Sequence, residues 1–260
     1  MADTFTFDIA SLPSDRITLF EIRYNIEPHN SVCAWSWVVK YALYAKKIPF
    51  HVELVEMVDI PALSKALGLQ PGEIIMGAPM YTLPAIYDPS TKKAVSDSLT
   101  INMYLDAQYP DTPRVVAEGT KGLIKAFFTA IRTLDYASFP LTIETYLGLT
   151  TAKSREYFRT TREKFLGARI EDMTPREPEK IAEVWAGVEK AFDTMDGWYG
   201  GNTFIMGNDV PTHADFVVAG RLMLLQEFFR EESQDWKRVA GLNDGRWGKL
   251  LKYCNDMSVL

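Results

Sequence analysis

Tyr81 to Pro113 reads YTLPAIYDPSTKKAVSDSLTINMYLDAQYPDTP, and most of the fold can be argued from it. Tyr81–Tyr87 is rich in β-branched and aromatic side chains, which predicts a strand, yet it carries Pro84. Proline donates nothing to a sheet ladder and is tolerated at an edge, a bulge or a special turn. Were the Leu83–Pro84 bond cis, the backbone N–H and C=O of Leu83 would face an extended peptide lying alongside. Asp88–Lys93 is a turn, Ala94–Val95 a short returning strand, and Ser98–Tyr109 a helix with Leu99, Met103 and Leu105 on its apolar side. Ser96-Asp97-Ser98 is a capping sequence in front of that helix. A helix start with free N–H groups and a hydroxyl suits a carboxylate, and Asp97 beside it suits an amino group. One place would hold both charges of an amino-acid head group.

Working back from this hairpin, Ile17–Ile22 reads as a strand and is followed by a loop, Arg23–His29, broken by Pro28. Asn30 and Ser31 are expected caps for a helix in which Trp35, Val38, Val39 and Ala42 recur at helical spacing, up to Lys46-Lys47. Phe50, Val52 and Leu54 alternate with His51 and Glu53 as a half-buried strand does, and a short helix is expected around Ala62–Leu67. The order β-α-β-α-β-β-α, with a parallel first pair and an antiparallel last one, is the thioredoxin arrangement.

Beyond Pro110 and Pro113 the strand patterns stop. Lys121–Leu147, Ser154–Leu166, Glu177–Trp198 and Ala214–Phe229 have helical periodicity, so the second domain is expected to be all helical. Residues 1–108 form the first domain on this reading, 109–118 the linker and 119–260 the helical domain. Phe127, Phe128 and Tyr136 sit at core-like spacing, and aromatic side chains of this domain are candidates to line a pocket between the domains. The net charge of −6 argues against a nucleic-acid partner, and no apolar run reaches the roughly 20 residues that span a bilayer. The acidic leader lacks the pattern of an export signal, and the two cysteines, Cys33 and Cys254, are too few for a disulfide framework; a cytoplasmic location is expected. His29, His51 and His213 have no metal-ligand spacing and read as surface or capping histidines, so no metal is expected.

Thr82-Leu83-Pro84 in a strand with Ser96-Asp97-Ser98 opening the next helix closely resembles the glutathione site of the glutathione transferase superfamily. The stretch Tyr81–Pro113 and the later string WKRVAGLNDGRWGKL, Trp236–Leu250, are similar to fungal transferases related to bacterial lignin etherases. The resemblance implies a thioredoxin-like domain followed by an all-α domain, a homodimer, and glutathione as co-substrate. It implies that Leu83 pairs its backbone with the cysteinyl part of glutathione beside a cis Pro84, and that Asp97 and Ser98 hold the γ-glutamyl group. Thr212-His213-Ala214-Asp215 resembles the family's helix-capping box.

Such proteins stabilise the glutathione thiolate with a Tyr, Ser or Cys near the start of the first helix, where Ser31, Cys33 and Ser36 stand close together. A Ser-Pro-x-x-Trp pattern of related enzymes, registered on the helix, places Cys33 at the serine position; counting from the first strand favours Ser31, and the proline is absent. A hydroxyl there would lower the glutathione thiol pKa for attack on a small hydrophobic or aromatic electrophile, by conjugation, ether cleavage or peroxide reduction. Cys33 would instead form mixed disulfides, as in a thiol reductase. A non-catalytic ligandin binding aromatic compounds is the alternative of another class.

Overall fold

The computed structural model describes residues 7–27, 31–72, 74–75 and 78–259. The first part of the chain runs β1 (Ile17–Ile22), α1 (Ala34–Ala45), β2 (Phe50–Val55), α2 (Ile60–Ala66), two-residue β3 (Ile74–Ile75) and β4 (Ala78–Pro79), β5 (Ala85–Asp88), β6 (Lys93–Ser96) and α3 (Ser98–Gln108). The second is helical: α4 (Lys121–Leu149), α5 (Ala152–Leu166), α6 (Ile170–Met173), α7 (Pro178–Tyr199), α8 (His213–Phe229) and α9 (Gln234–Asp256).

Four strands form one mixed sheet in the order β2-β1-β5-β6. β1 pairs parallel with β2, while β5 runs antiparallel to both β1 and β6. Side chains alternate across β1. Ile17 and Leu19 join Val39 and Leu43 of α1 and Ile101 and Leu105 of α3, whereas Phe20 joins Ile60 and Leu63 of α2 on the opposite face. α1 has a second apolar side. Its Trp37, Val38 and Tyr41 pack into the core of the helical part with Val217, Leu222 and Trp247. One helix therefore belongs to both cores.

The linker is pinned by a buried carboxylate. Asp106 of α3 accepts from the Val115 and Val116 amides at 3.0 and 2.8 Å and pairs with the Lys46 ammonium at 2.7 Å. The carbonyl of Val115 in turn accepts from the His213 amide at the head of α8. The capping box there is formed as the sequence predicts: Asp215 accepts from the Thr212 amide at 2.8 Å.

Several elements depart from the sequence reading. The strand expected over Tyr81–Tyr87 starts only at Ala85, immediately after the residue that has no N–H to give. α1 begins at Ala34 with Cys33 as its N-cap, not at Ser31, and Asn30 lies outside the described residues. α9 was not marked by periodicity at all. It is two helical pieces joined across Leu242–Gly245, where Asn243, Asp244 and Gly245 have φ of 52°, 58° and 75°. Asn-Asp-Gly is turn chemistry, and the break is held by Trp247 Nε1 donating to Asn243 Oδ1 at 2.7 Å. Tyr136, expected in the core, is 70% exposed.

Removing the Asp106 carboxylate as Asp106→Ala strands the Lys46 ammonium, whose side chain is 0% exposed, without a counter-charge. The expected loss is about 3–5 kcal/mol of stability, read as a lower urea midpoint at unchanged m-value.

Candidate functional site

The sheet register decides which residues meet. β5 enters the sheet where β1 leaves it, since Ala85 pairs with Phe20 near the end of β1. Ala85 also pairs with Ser96, the last residue of β6. Continuing that antiparallel register by two steps sets Leu83–Pro84 opposite Asp97–Ser98. The head of α1 follows the end of β1, so Cys33–Trp35, Leu83–Pro84 and Asp97–Ser98 share one end of the sheet.

Each group there is held in a defined state. The Leu83–Pro84 peptide bond is cis, as the sequence resemblance implies. Leu83 precedes both ladders, so its backbone is not committed to the sheet, and its buried side chain packs with Val32 and Tyr24. Asp97 is exposed, with φ of 74°. One of its oxygens, Oδ1, accepts from both the amide and the hydroxyl of Thr100, at 2.9 and 2.8 Å. Oδ2 takes part in neither bond and has no other partner among the described residues, which leaves it open to an ammonium. Ser98 is the first residue of α3 and 4% exposed, so its amide is one of the N–H groups that the helix leaves unpaired. This donor set fits an α-amino acid head group, with cation and anion sites side by side.

The two candidates at α1 diverge. Ser31 is fully buried near Glu21 of β1, its hydroxyl without a hydrogen-bond partner among the described residues, and Glu21 pairs with Lys40 of α1 at 2.9 Å. Burial pushes the Glu21 carboxyl up, and the Lys40 ammonium and Ser31 hydroxyl oppose it. Cys33 is 7% exposed. Burial pushes its thiol above the ordinary value, against the pull of the amide and hydroxyl of Ser36 and the amide of Trp35. Ser36 is itself buried in the first turn of α1.

Comparison with known proteins places this geometry. The glutathione S-transferase N-terminal domain profile matches residues 32–108, and the C-terminal domain profile matches residues 122–257. The chain belongs to the glutathione transferase family. A glutathione S-transferase of Ceriporiopsis subvermispora, solved in complex with glutathione, is 31% identical with a TM-score of 0.88, covering 94% of this chain and 98% of that one. A glutathione transferase of Phanerochaete chrysosporium is also 31% identical, with a TM-score of 0.84 over 93% and 97% of the two chains. A glutathione S-transferase-like protein of Aspergillus flavus is 24% identical over 225 residues, 82% of this chain and 79% of that one.

This transferase fold brings in two tyrosines that the sequence reading passed over. Tyr24, just after β1, donates from its hydroxyl to that of Tyr146 on α4 at 2.6 Å. Burial pushes both phenols up, Tyr146 to about 12, and both feel the Cys33 sulfur. Tyr24 stands in the right loop to have been weighed with Ser31 and Cys33; Tyr146 gave no sequence signal, because it arrives from more than a hundred residues away. Elsewhere, His213 is buried beneath α3, with Asn102 Nδ2 2.8 Å from its Nδ1, and burial holds its pKa down at about 3. It is therefore a neutral core histidine, contrary to the surface or helix-cap expectation. His51 is exposed beside Glu53 at 3.5 Å, and His29 lies outside the described residues. An apolar hollow lined by Leu123, Phe127 and Met206 lies at the head of α4, roughly 35 Å along that helix from Tyr146.

Two outcomes are expected from this geometry. A Cβ on Gly220 of α8 would meet the Ala34 carbonyl oxygen at 2.3 Å, so Gly220→Ala must push α8 off the head of α1. It should cost about 1–3 kcal/mol in chemical denaturation, whereas Gly187→Ala in α7, with nothing within 4 Å, should not destabilise. Because burial raises the Cys33 thiol, its alkylation by iodoacetamide, followed by peptide mass spectrometry, should be slow at neutral pH and still rising above about pH 9. A plateau below about pH 8 would contradict that protonation state.

Proposed function

We propose that this protein binds glutathione along Leu83 and at Asp97–Ser98 and activates its thiol for attack on small hydrophobic or aromatic electrophiles, to which the whole glutathionyl group is joined. The observation that carries this reading is the register Ala85↔Ser96, which sets an uncommitted backbone edge opposite a helix start beside the head of α1. Leu83 pairs with the cysteinyl backbone, the Ser98 amide and hydroxyl take the γ-glutamyl carboxylate, and Asp97 Oδ2 takes the α-amino group. The glutathione seen in the Ceriporiopsis relative supports the choice of tripeptide.

Conjugation is favoured over a Cys33-based thiol reductase by one property of the site. A buried thiol held above its ordinary pKa is mostly protonated at neutral pH, which suits a donor to the glutathione sulfur better than an attacking thiolate. Ser31 is fully buried, and Cys33 is the side chain of the two that acts on the tyrosine pair. Ether cleavage and peroxide reduction use the same activated sulfur and stand within this reading.

Asp97→Asn separates binding from folding, because asparagine keeps the cap on Thr100 and removes the charge. Calorimetric titration should show glutathione affinity falling about tenfold, with the melting temperature nearly unchanged. Turnover of 1-chloro-2,4-dinitrobenzene with glutathione should survive Ser31→Ala and fall with Cys33→Ser. A glutathione adduct on Cys33 by intact mass would instead establish the reductase, and retained dye binding without any turnover would establish a ligandin.

A further inference from the structure

We propose that Arg221 of α8 is a positioning residue for the sulfur chemistry: fixed by Asp135 of α4 and laid over Trp35, it sets the head of α1, and with it Cys33, against the glutathione sulfur. The assignment rests on the reading of Cys33 given above, and it names what holds that residue in register.

Its first support is where an arginine has been placed. Most of α8 is buried apolar side chain, and Arg221 stands in the middle of it, 3% exposed. An apolar residue would fill that position without the cost of desolvating a charge, so stability alone explains the guanidinium poorly. Its partners explain it better. Nε and Nη2 donate to the two oxygens of Asp135 at 2.7 and 2.8 Å, a bidentate fork, and Nη1 donates to the Val217 carbonyl at 3.1 Å. Held at three nitrogens, the group stands over the Trp35 ring with its Cζ 4.6 Å from the centroid.

The second support is what Trp35 controls. It is the second residue of α1, two positions after Cys33, and Phe128 of α4 meets its ring edge-on at 5.3 Å and 71°. Phe128 and Asp135 stand two turns apart on one face of α4, so a single helix supplies both the neighbour of the indole and the anchor of the arginine. Gly220, the residue before Arg221, is where the Ala34 carbonyl approaches α8. Successive residues of α8 therefore meet successive residues of α1, 220 with 34 and 221 with 35, which fixes the helix head in height and in rotation. The amides of Trp35 and Ser36 act on the Cys33 sulfur, so a shift of the indole passes to the thiol through one turn of backbone. Leu83, Asp97 and Ser98, the groups proposed to hold the peptide, share none of these contacts. Loss of the clamp should thus slow the chemistry and spare glutathione binding.

Three quantities are read on the full chain: turnover of 1-chloro-2,4-dinitrobenzene with glutathione, glutathione affinity by calorimetry, and the rate of Cys33 alkylation by iodoacetamide. Arg221→Met should lower kcat about tenfold to a hundredfold, with the Kd for glutathione within about twofold of the parent. It should also speed Cys33 alkylation about threefold or more, because the helix head opens more often. Arg221→Lys, which keeps a cation over the ring and loses the fork, should recover part of the kcat. In a Trp35→Leu background, adding Arg221→Met should change kcat by less than about twofold, since the arginine acts through that ring. Arg238→Met removes a guanidinium of the same kind from α9, over Trp185 at 4.5 Å and bonded to Glu189 at 2.8 Å, and should leave all three quantities unchanged. A lowered melting temperature in Arg221→Met with parental kcat and alkylation rate overturns the proposal, for the pair would then be structural only. So does an equal fall of glutathione affinity and kcat, or an undiminished effect in the Trp35→Leu background. If Arg221→Met does not fold, Arg221→Lys carries the comparison: a smaller fall in kcat at unchanged affinity is expected, and a parental kcat refutes it. A parent without any turnover removes the transferase reading instead, and the alkylation rates then decide on the clamp by themselves.

Discussion

The antiparallel run of β5 between β1 and β6 is the constraint on which the site depends. Because β5 opposes both neighbours, the residues just before it lie beside the end of β1 and the end of β6. Three pieces far apart in the chain, the head of α1, Leu83–Pro84 and Asp97–Ser98, are thereby collected at one end of the sheet. Pro84 sharpens the arrangement by keeping that position out of the ladder, which ends the pairing where a ligand backbone is wanted. A shift of one residue in the Ala85↔Ser96 register would turn every side chain of β6 over and move the α3 start away from Leu83.

α1 carries the second burden, because the sheet and the helical part both pack on it. Under the helix lies the buried Glu21–Lys40 pair, with Ser31 beside it. Above it lies α8, whose Gly220 lets the Ala34 carbonyl approach more closely than any side chain would permit. Burying an ion pair is costly relative to an apolar pair of the same size, so Glu21 and Lys40 are poorly explained as a device for stability alone. The residue that caps α1 is Cys33, and the helix head is presented to the cleft from a rigid base.

Much of this was legible from residues 81–113, and the reasons are local. A proline in a strand and a capping sequence two residues after the returning strand are short-range signals, and the register that joins them follows from the hairpin alone. What was not legible depends on tertiary contact. Ser31 has the composition of an N-cap, yet it is fully buried two residues before the position that caps the helix, which is Cys33. The break in α9 mixes turn chemistry into a helix and defeats a periodicity search. Tyr136 has core-like spacing on α4 but falls on the side of that helix that nothing covers. Tyr146, ten residues further along the same helix, acquires its role only because Tyr24 reaches it.

The division of labour between the two parts of the chain follows from their chemistry. The sheet part offers backbone groups, a helix start and one carboxylate, all suited to a zwitterionic peptide and indifferent to what that peptide attacks. The helical part offers a ring, Tyr146 of α4, backed by the buried Phe158 of α5 and Phe228 of α8. Helices α4, α5 and α8 can exchange those side chains without disturbing the β5 register, since none of them contributes to the sheet. On the proposed reading the tripeptide end is therefore tied to the fold while the electrophile end is free to vary, and the neutral Cys33 acts on the tyrosine pair where the two would meet.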